Sequence, residues 1–83
     1  MLFRSSPASD RIQCGFTLES AGKVEISLLN FEGKLISTPL TGRFHLPGYH
    51  INELNLSDVA SGIYLLELNK DGERQTQKIV VQH

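Results

Sequence analysis

Three histidines, one cysteine and a scatter of carboxylates are the groups in this sequence best equipped to do chemistry. His45 and His50 lie five apart across Pro47-Gly48, and His83 is the last residue. A zinc ion needs three or four converging ligands, each oriented by a further hydrogen bond. That ligand pattern is missing, so the three histidines read as exposed strand-end and terminal residues. Cys14 is the sole cysteine, which excludes an internal disulfide and any C-x-x-C motif. It shares parity with Ile12 and Phe16 and reads as a small inward-facing hydrophobe; the alternative is an unpaired surface thiol able to cross-link two chains. There is no G-x-S-x-G elbow, and Ser57-Asp58 reads as the cap of a turn. No glycine-rich loop opens a helix, so a phosphate cradle is absent. Asn55-Leu56-Ser57 fits the N-glycosylation pattern, a tripeptide that arises often by chance. Tyr49 and Tyr64 read as packing residues with a polar tip near the surface. These residues point to no catalytic, cofactor or metal site.

The elements that would position them have a period of two. Ile12, Cys14, Phe16 and Leu18 alternate with Gln13, Gly15 and Thr17, as in a strand with one buried face. Glu19-Ser20-Ala21-Gly22 breaks the pattern. Val24, Ile26 and Leu28 then face one way, with Glu25 and Ser27 on the other side. Asn30-Phe31-Glu32-Gly33 reads as a tight hairpin connection, with Gly33 free to adopt positive φ. Lys34 to Leu40 returns, and Pro39, which cannot donate to a ladder, marks an edge or an end. Thr41 to Gly48 is irregular, with turn signals at Gly42 and Pro47-Gly48. A strand over Tyr49 to Leu56 follows, then Ser57 to Gly62, which has the length for a short helical turn capped by Ser57 or Asp58 and not for a stable helix. Gly62 would let the chain turn sharply into an apolar strand, Ile63 to Asn69. Lys70-Asp71-Gly72 is the strongest short hairpin signal, again with positive φ at Gly72, and Arg74 to Gln82 closes the series. The expectation is an all-β, immunoglobulin-like antiparallel β-sandwich of six strands, or seven if Thr41 to Leu46 adds its own.

Composition sets the limits. Eighty-three residues make one small domain, and such a chain buries only about 60% of its unfolded surface. Eight Lys+Arg against nine Asp+Glu give a net charge of −1 with interspersed signs, so no basic stripe is available for nucleic acid. Apolar runs of four or five residues are too short for a membrane-spanning helix, which argues against membrane insertion.

One stretch goes beyond generic sandwich grammar. Asn55-Leu56-Ser57-Asp58-Val59-Ala60-Ser61-Gly62-Ile63-Tyr64 leads into Leu65 to Leu68, then Asp71-Gly72, then Gln77-Lys78-Ile79-Val80-Val81. It resembles the C-terminal sorting domain of the type IX (Por) secretion system, in which an "L-s-x-L-x-x-G-x-Y" segment precedes a glycine hairpin and a "K-K-I-V-V"-like strand. Upstream, Ser6-Pro7-Ala8-Ser9-Asp10, Ala21 to Ile26, Asn30 to Ile36 and Pro47-Gly48-Tyr49-His50 resemble further family segments in order. The resemblance spans about Pro7 to Val81. Departures are Ser6 for the usual Asn, Asn30-Phe31 for an aromatic-Asp pair, and Gln77 in place of the first lysine.

The resemblance implies a non-catalytic address label at the C-terminus of a larger cargo protein. The label folds in the periplasm, is read by the outer-membrane type IX translocon, and is removed by a sortase-like peptidase, leaving cargo at the cell surface or outside the cell. It implies translocon recognition at Lys78, Ile79, Val80 and Val81, the final strand, and a fold-motif role for Gly33, Gly48, Gly62, Tyr64 and Gly72. The domain would then cover residues 7–83, with 1–6 as linker or vector-derived residues. A strand at an exposed edge can also pair with a second copy, giving a weak edge-strand dimer. The second reading is an immunoglobulin-like adhesive or spacer module, as in a flagellar hook-cap protein. That reading expects an exposed patch built from Tyr49, Phe31 and Phe44.

Overall fold

The computed structural model describes residues 2–7 and 10–83, with side chains for Phe3, Arg4 and residues 10–83. Seven strands follow one another: β1 (Leu2–Pro7), β2 (Arg11–Leu18), β3 (Gly22–Asn30), β4 (Leu35–His45), β5 (Gly48–Asn55), β6 (Gly62–Lys70) and β7 (Glu73–Val81). They form two antiparallel sheets, β1-β2-β5 and β4-β3-β6-β7. Because β4 pairs with β3 rather than β5, the immunoglobulin-like sandwich divides three strands against four.

Period-two patterning builds the interior. Ile12, Cys14, Phe16 and Leu18 of β2 are all buried, as are Val24, Ile26 and Leu28 of β3 and Leu66 and Leu68 of β6. Burying a side chain of this size stabilises the fold by about 1.5–3 kcal/mol relative to leaving it in water. Leu54, Ile79 and Val81 complete the two facing layers, with Val59 and Tyr64 packed at the margin.

Two hairpins are specified locally. Asp71 and Gly72 have φ of 51° and 82°, and Lys70 pairs with Glu73 across them. Positive φ at both central residues is the two-residue turn whose twist matches the flanking strands. Between β3 and β4, the Asn30 side-chain oxygen accepts from the backbone N–H of Glu32 and of Lys34, both at 2.9 Å. Gly33, with φ 90°, donates to the Asn30 carbonyl at 2.9 Å. Asn30 thus organises the whole connection.

Three expectations need correction. Thr41 to Leu46 forms no strand of its own; β4 runs from Leu35 to His45 straight through Pro39. Its register against β3 shifts between Val24 and Ile26, Ile26 and Leu28, and Leu28 and Leu29. Such bulges erase the alternation that marks a strand, and an edge position tolerates proline. The seventh strand is instead β1, which joins residues 2–6 of the stretch read as linker to Pro7, with Phe3 opposite Phe16 and Ser5 opposite Cys14. Met1, Ala8 and Ser9, also part of the N-terminal readings, lie outside the described residues. Finally, Ser57 to Gly62 is the short turn expected, but its cap differs. The Val59 N–H donates to the Leu56 carbonyl at 3.0 Å. The side-chain cap comes from Asn55, whose oxygen accepts from the Ser57 N–H at 2.9 Å, rather than from Ser57 or Asp58.

Candidate recognition face

The last strand presents its residues alternately. Ile79 and Val81 are buried in the core, at 5% and 4% exposure, whereas Lys78 and Val80 face solvent. Pairing with β6 places Lys78 opposite Leu65 and Val80 opposite Ile63. Leu65 in turn pairs with Leu29 of β3, and Leu29 with Leu35 of β4. The Phe31 ring folds onto the same face, with the Lys78 ammonium 5.9 Å from its centroid. At an exposed site such a contact contributes about 0.5–1 kcal/mol. Of the four residues the resemblance assigns to recognition, the fold brings Lys78 and Val80 into one outward face and commits Ile79 and Val81 to packing.

Ile63, Leu65 and Leu29 were not singled out as site residues from sequence, and Phe31 was named only for the patch of the adhesive-module reading. A signal was present: Ile63-Tyr64-Leu65-Leu66 is apolar at both parities, as expected when both faces of a strand meet apolar surroundings. Only the register of β3, β6 and β7 shows which of these residues are neighbours.

The end of β7 is tied down. The His83 backbone N–H donates to Ser61 Oγ at 3.2 Å, and its Nε2–H donates to the Val59 carbonyl at 2.6 Å. Tyr64, beside it, donates its hydroxyl to the Ala60 carbonyl at 2.6 Å. The 56–61 turn is itself anchored to the other sheet, the Leu56 N–H donating to the Asp10 carbonyl at 2.7 Å. Gly48 takes φ 121°, as the tight reversal after Pro47 requires. Gly62 differs from the expectation of a glycine-enforced sharp turn. It lacks positive φ, and a Cβ there would meet only the Tyr64 ring at 3.5 Å, an ordinary contact. The redirection into β6 is made by the turn and the tyrosine.

The other chemically able residues sit elsewhere. His45 and His50 come together where β4 gives way to β5, ring centroids 4.9 Å apart, both against Phe16 at 5.4 and 5.5 Å. His45 Nδ1–H donates to the Arg43 carbonyl at 2.8 Å, and His50 Nε2–H to the Leu46 carbonyl at 2.7 Å. They act as an aromatic clasp, and His83 is far from them in the chain and bound to the 59–61 turn. Among the described residues no three His, Cys, Asp or Glu side chains form a metal-sized group. Cys14 is wholly buried and unpaired, and loss of solvent raises its thiol pKa to about 12. Lys70, not foreseen as buried, lies beneath the β2–β3 turn. Its ammonium donates to Ser20 Oγ at 3.0 Å and pairs with Asp71 at 3.3 Å.

Tyr49, Phe31 and Phe44 are all strongly exposed but do not share a surface. Tyr49 lies on the outer face of the three-stranded sheet, over Gly15, where a Cβ would collide with its phenol. Phe44 pairs with Lys23 at the opposite end of the larger sheet from Phe31.

A three-plus-four sandwich with glycine-turned hairpins and a last strand that is half core and half surface defines a small all-β module. The model of the family described as the secretion system C-terminal sorting domain matches residues 6–82, and the chain belongs to that family, the sorting domains of type IX secretion. No curated protein matches the chain. Membership makes the chain a C-terminal sorting signal for type IX secretion. Such a signal implies recognition by the secretion machinery, an N-terminal cargo, and export toward the cell surface or extracellular space.

Proposed function

We propose that this domain is a non-catalytic label that carries a fused N-terminal cargo through the periplasm to the outer-membrane type IX translocon, after which a sortase-like peptidase removes it. The observation that carries this reading is the family match over residues 6–82, which takes in the whole of β2 to β7. Recognition falls on Lys78, Ile79, Val80 and Val81, with a division of labour. Lys78 and Val80 meet the receptor, and Ile79 and Val81 hold their strand against the core. Gly33, Gly48 and Gly72 serve the turns, and Tyr64 holds the entry into β6. The sorting unit is residues 7–83, and 1–6 form the junction to cargo, of which Leu2 to Ser6 pair with β2 as part of β1. Weak self-association through an edge strand is a secondary property, to be checked by light scattering over a wide concentration range.

The test is a periplasm-directed fluorescent reporter fused to the chain in a type IX-competent bacterium. Reporter should reach the surface or medium with the intact chain, and fail to do so without Lys78 to His83 or in a translocon-deficient strain. Retention of the intact, folded fusion in the periplasm would refute the reading and favour an adhesive module.

A further inference from the structure

The outer face of the four-stranded sheet is divided along its strands, not across them. Three successive rows are polar apart from Phe44: Lys23 beside Phe44, then Glu25-Asn69-Arg74, then Ser27-Glu67-Thr76. The next two are apolar save for one cation: Leu35-Leu29-Leu65-Lys78, then Phe31 with Ile63-Val80. Phe31, Leu35, Ile63 and Val80 all remain exposed there, at 64%, 57%, 43% and 54%. A sheet face that only needed solubility would have no reason to gather four large apolar residues at one end.

We infer that this apolar end is the docking surface for a component of the secretion machinery, and that it is read as a folded sheet face rather than as an extended tail. The inference rests on the sorting function proposed above and names the chemistry of its partner: a flat apolar protein surface carrying a carboxylate opposite Lys78. Charge supports the carboxylate. Lys78 has an aromatic ring and no acidic partner among the described residues, while the nearest acid in the adjacent row, Glu67, is engaged by Arg74 at 4.0 Å. The two apolar rows contain no carboxylate, so a second copy laid face to face brings lysine against apolar residues without neutralising it. Size points the same way. The exposed apolar surface is on the order of 400 Å², about half of what each partner contributes to a stable complex. It suits a transient contact on a larger receptor.

The experiment uses the reporter fusion with substitutions confined to the surface, beside the melting curve of each variant domain. I63T combined with V80S, and separately K78E, should each reduce export at least tenfold while the melting temperature stays within a few degrees. K78R should restore export, and K23E, at the polar end, should leave it unchanged. In parallel, a benzophenone amino acid replacing Phe31 should cross-link to a protein of the translocon, and the same group replacing Phe44 should not. Wild-type export by I63T/V80S and K78E, with export still abolished by removing Lys78 to His83, would overturn the face and leave the sorting function standing. Export that survives that removal would overturn both the face and recognition by the last strand, and retention of the intact fusion would overturn the sorting function itself. Cross-links from position 31 solely to a second copy or to lipid would likewise overturn the proposed partner.

Discussion

Adjacent residues of β7 should respond to the same truncation to very different extents. Replacing Ile79 by alanine removes three carbons from a side chain that is 5% exposed. At about 0.8 kcal/mol per buried carbon, the transfer loss is about 2.4 kcal/mol. The unfilled space beside Tyr64 adds to this, within the overall range of about 2–5 kcal/mol for such substitutions. For a domain of this size each kcal/mol moves the midpoint by roughly 4–8 °C, so the melting temperature should fall by about 10–40 °C. Val80→Ala removes two carbons from a side chain that is 54% exposed and pointing into water. Its cost should be about 0.5 kcal/mol, a shift of a few degrees. Thermal and urea unfolding followed by circular dichroism measures both, and an unchanged urea dependence confirms that the denatured states are comparable. Equal losses, or the larger loss at Val80, would refute the argument. A strand slipped by one residue exchanges its two faces, and that outcome would mean Lys78 and Val80 point inward.

Other outcomes follow from the turns, the thiol and the tyrosine. Gly72→Ala and Gly33→Ala force a side chain into positive φ and should each cost about 1–2 kcal/mol in denaturant melts, whereas Gly62→Ala should be nearly neutral. Cys14 should resist thiol reagents in the folded protein at pH 8 and react fully in urea. The folded thiol holds its proton to about 12 while the unfolded one releases it near 9.0, so the unfolded state binds fewer protons between those values. Stability contributed by Cys14 is therefore intact below pH 9 and declines above it, by up to about 1.4 kcal/mol per pH unit. Measured as the difference from Cys14→Ala, the decline should disappear in the variant. Tyr64→Phe removes the hydroxyl that bonds the Ala60 carbonyl and should cost about 0.5–1.5 kcal/mol by the same melts.

What could be foreseen from sequence was what is local. The alternation of Ile12 to Leu18 and Val24 to Leu28 names its own buried face, and Asp71-Gly72 names its own turn. The β1 strand escaped notice because a short segment with little alternation acquires meaning only through pairing with β2. The length of β4 escaped because its bulges destroy the period that a strand is recognised by. The parity of Ile79 and Val81 indicated that half of β7 was core. Its outward neighbours were hidden, because they come from other parts of the chain: Leu65 and Ile63 from β6, and Phe31 from the turn after β3. Such proximity is set by topology, which no short window contains.

The strand that carries Lys78 and Val80 also supplies Ile79 and Val81 to the interior, and this couples completion of β7 to display of the face. A polypeptide stopped before residue 73 lacks both buried side chains, leaves β6 as an unpaired edge, and has neither outward residue. Synthesis runs toward β7, so the sandwich closes and the face appears in the same event. A receptor that bound this face would in effect inspect for a finished strand, and unfinished cargo would carry no valid label.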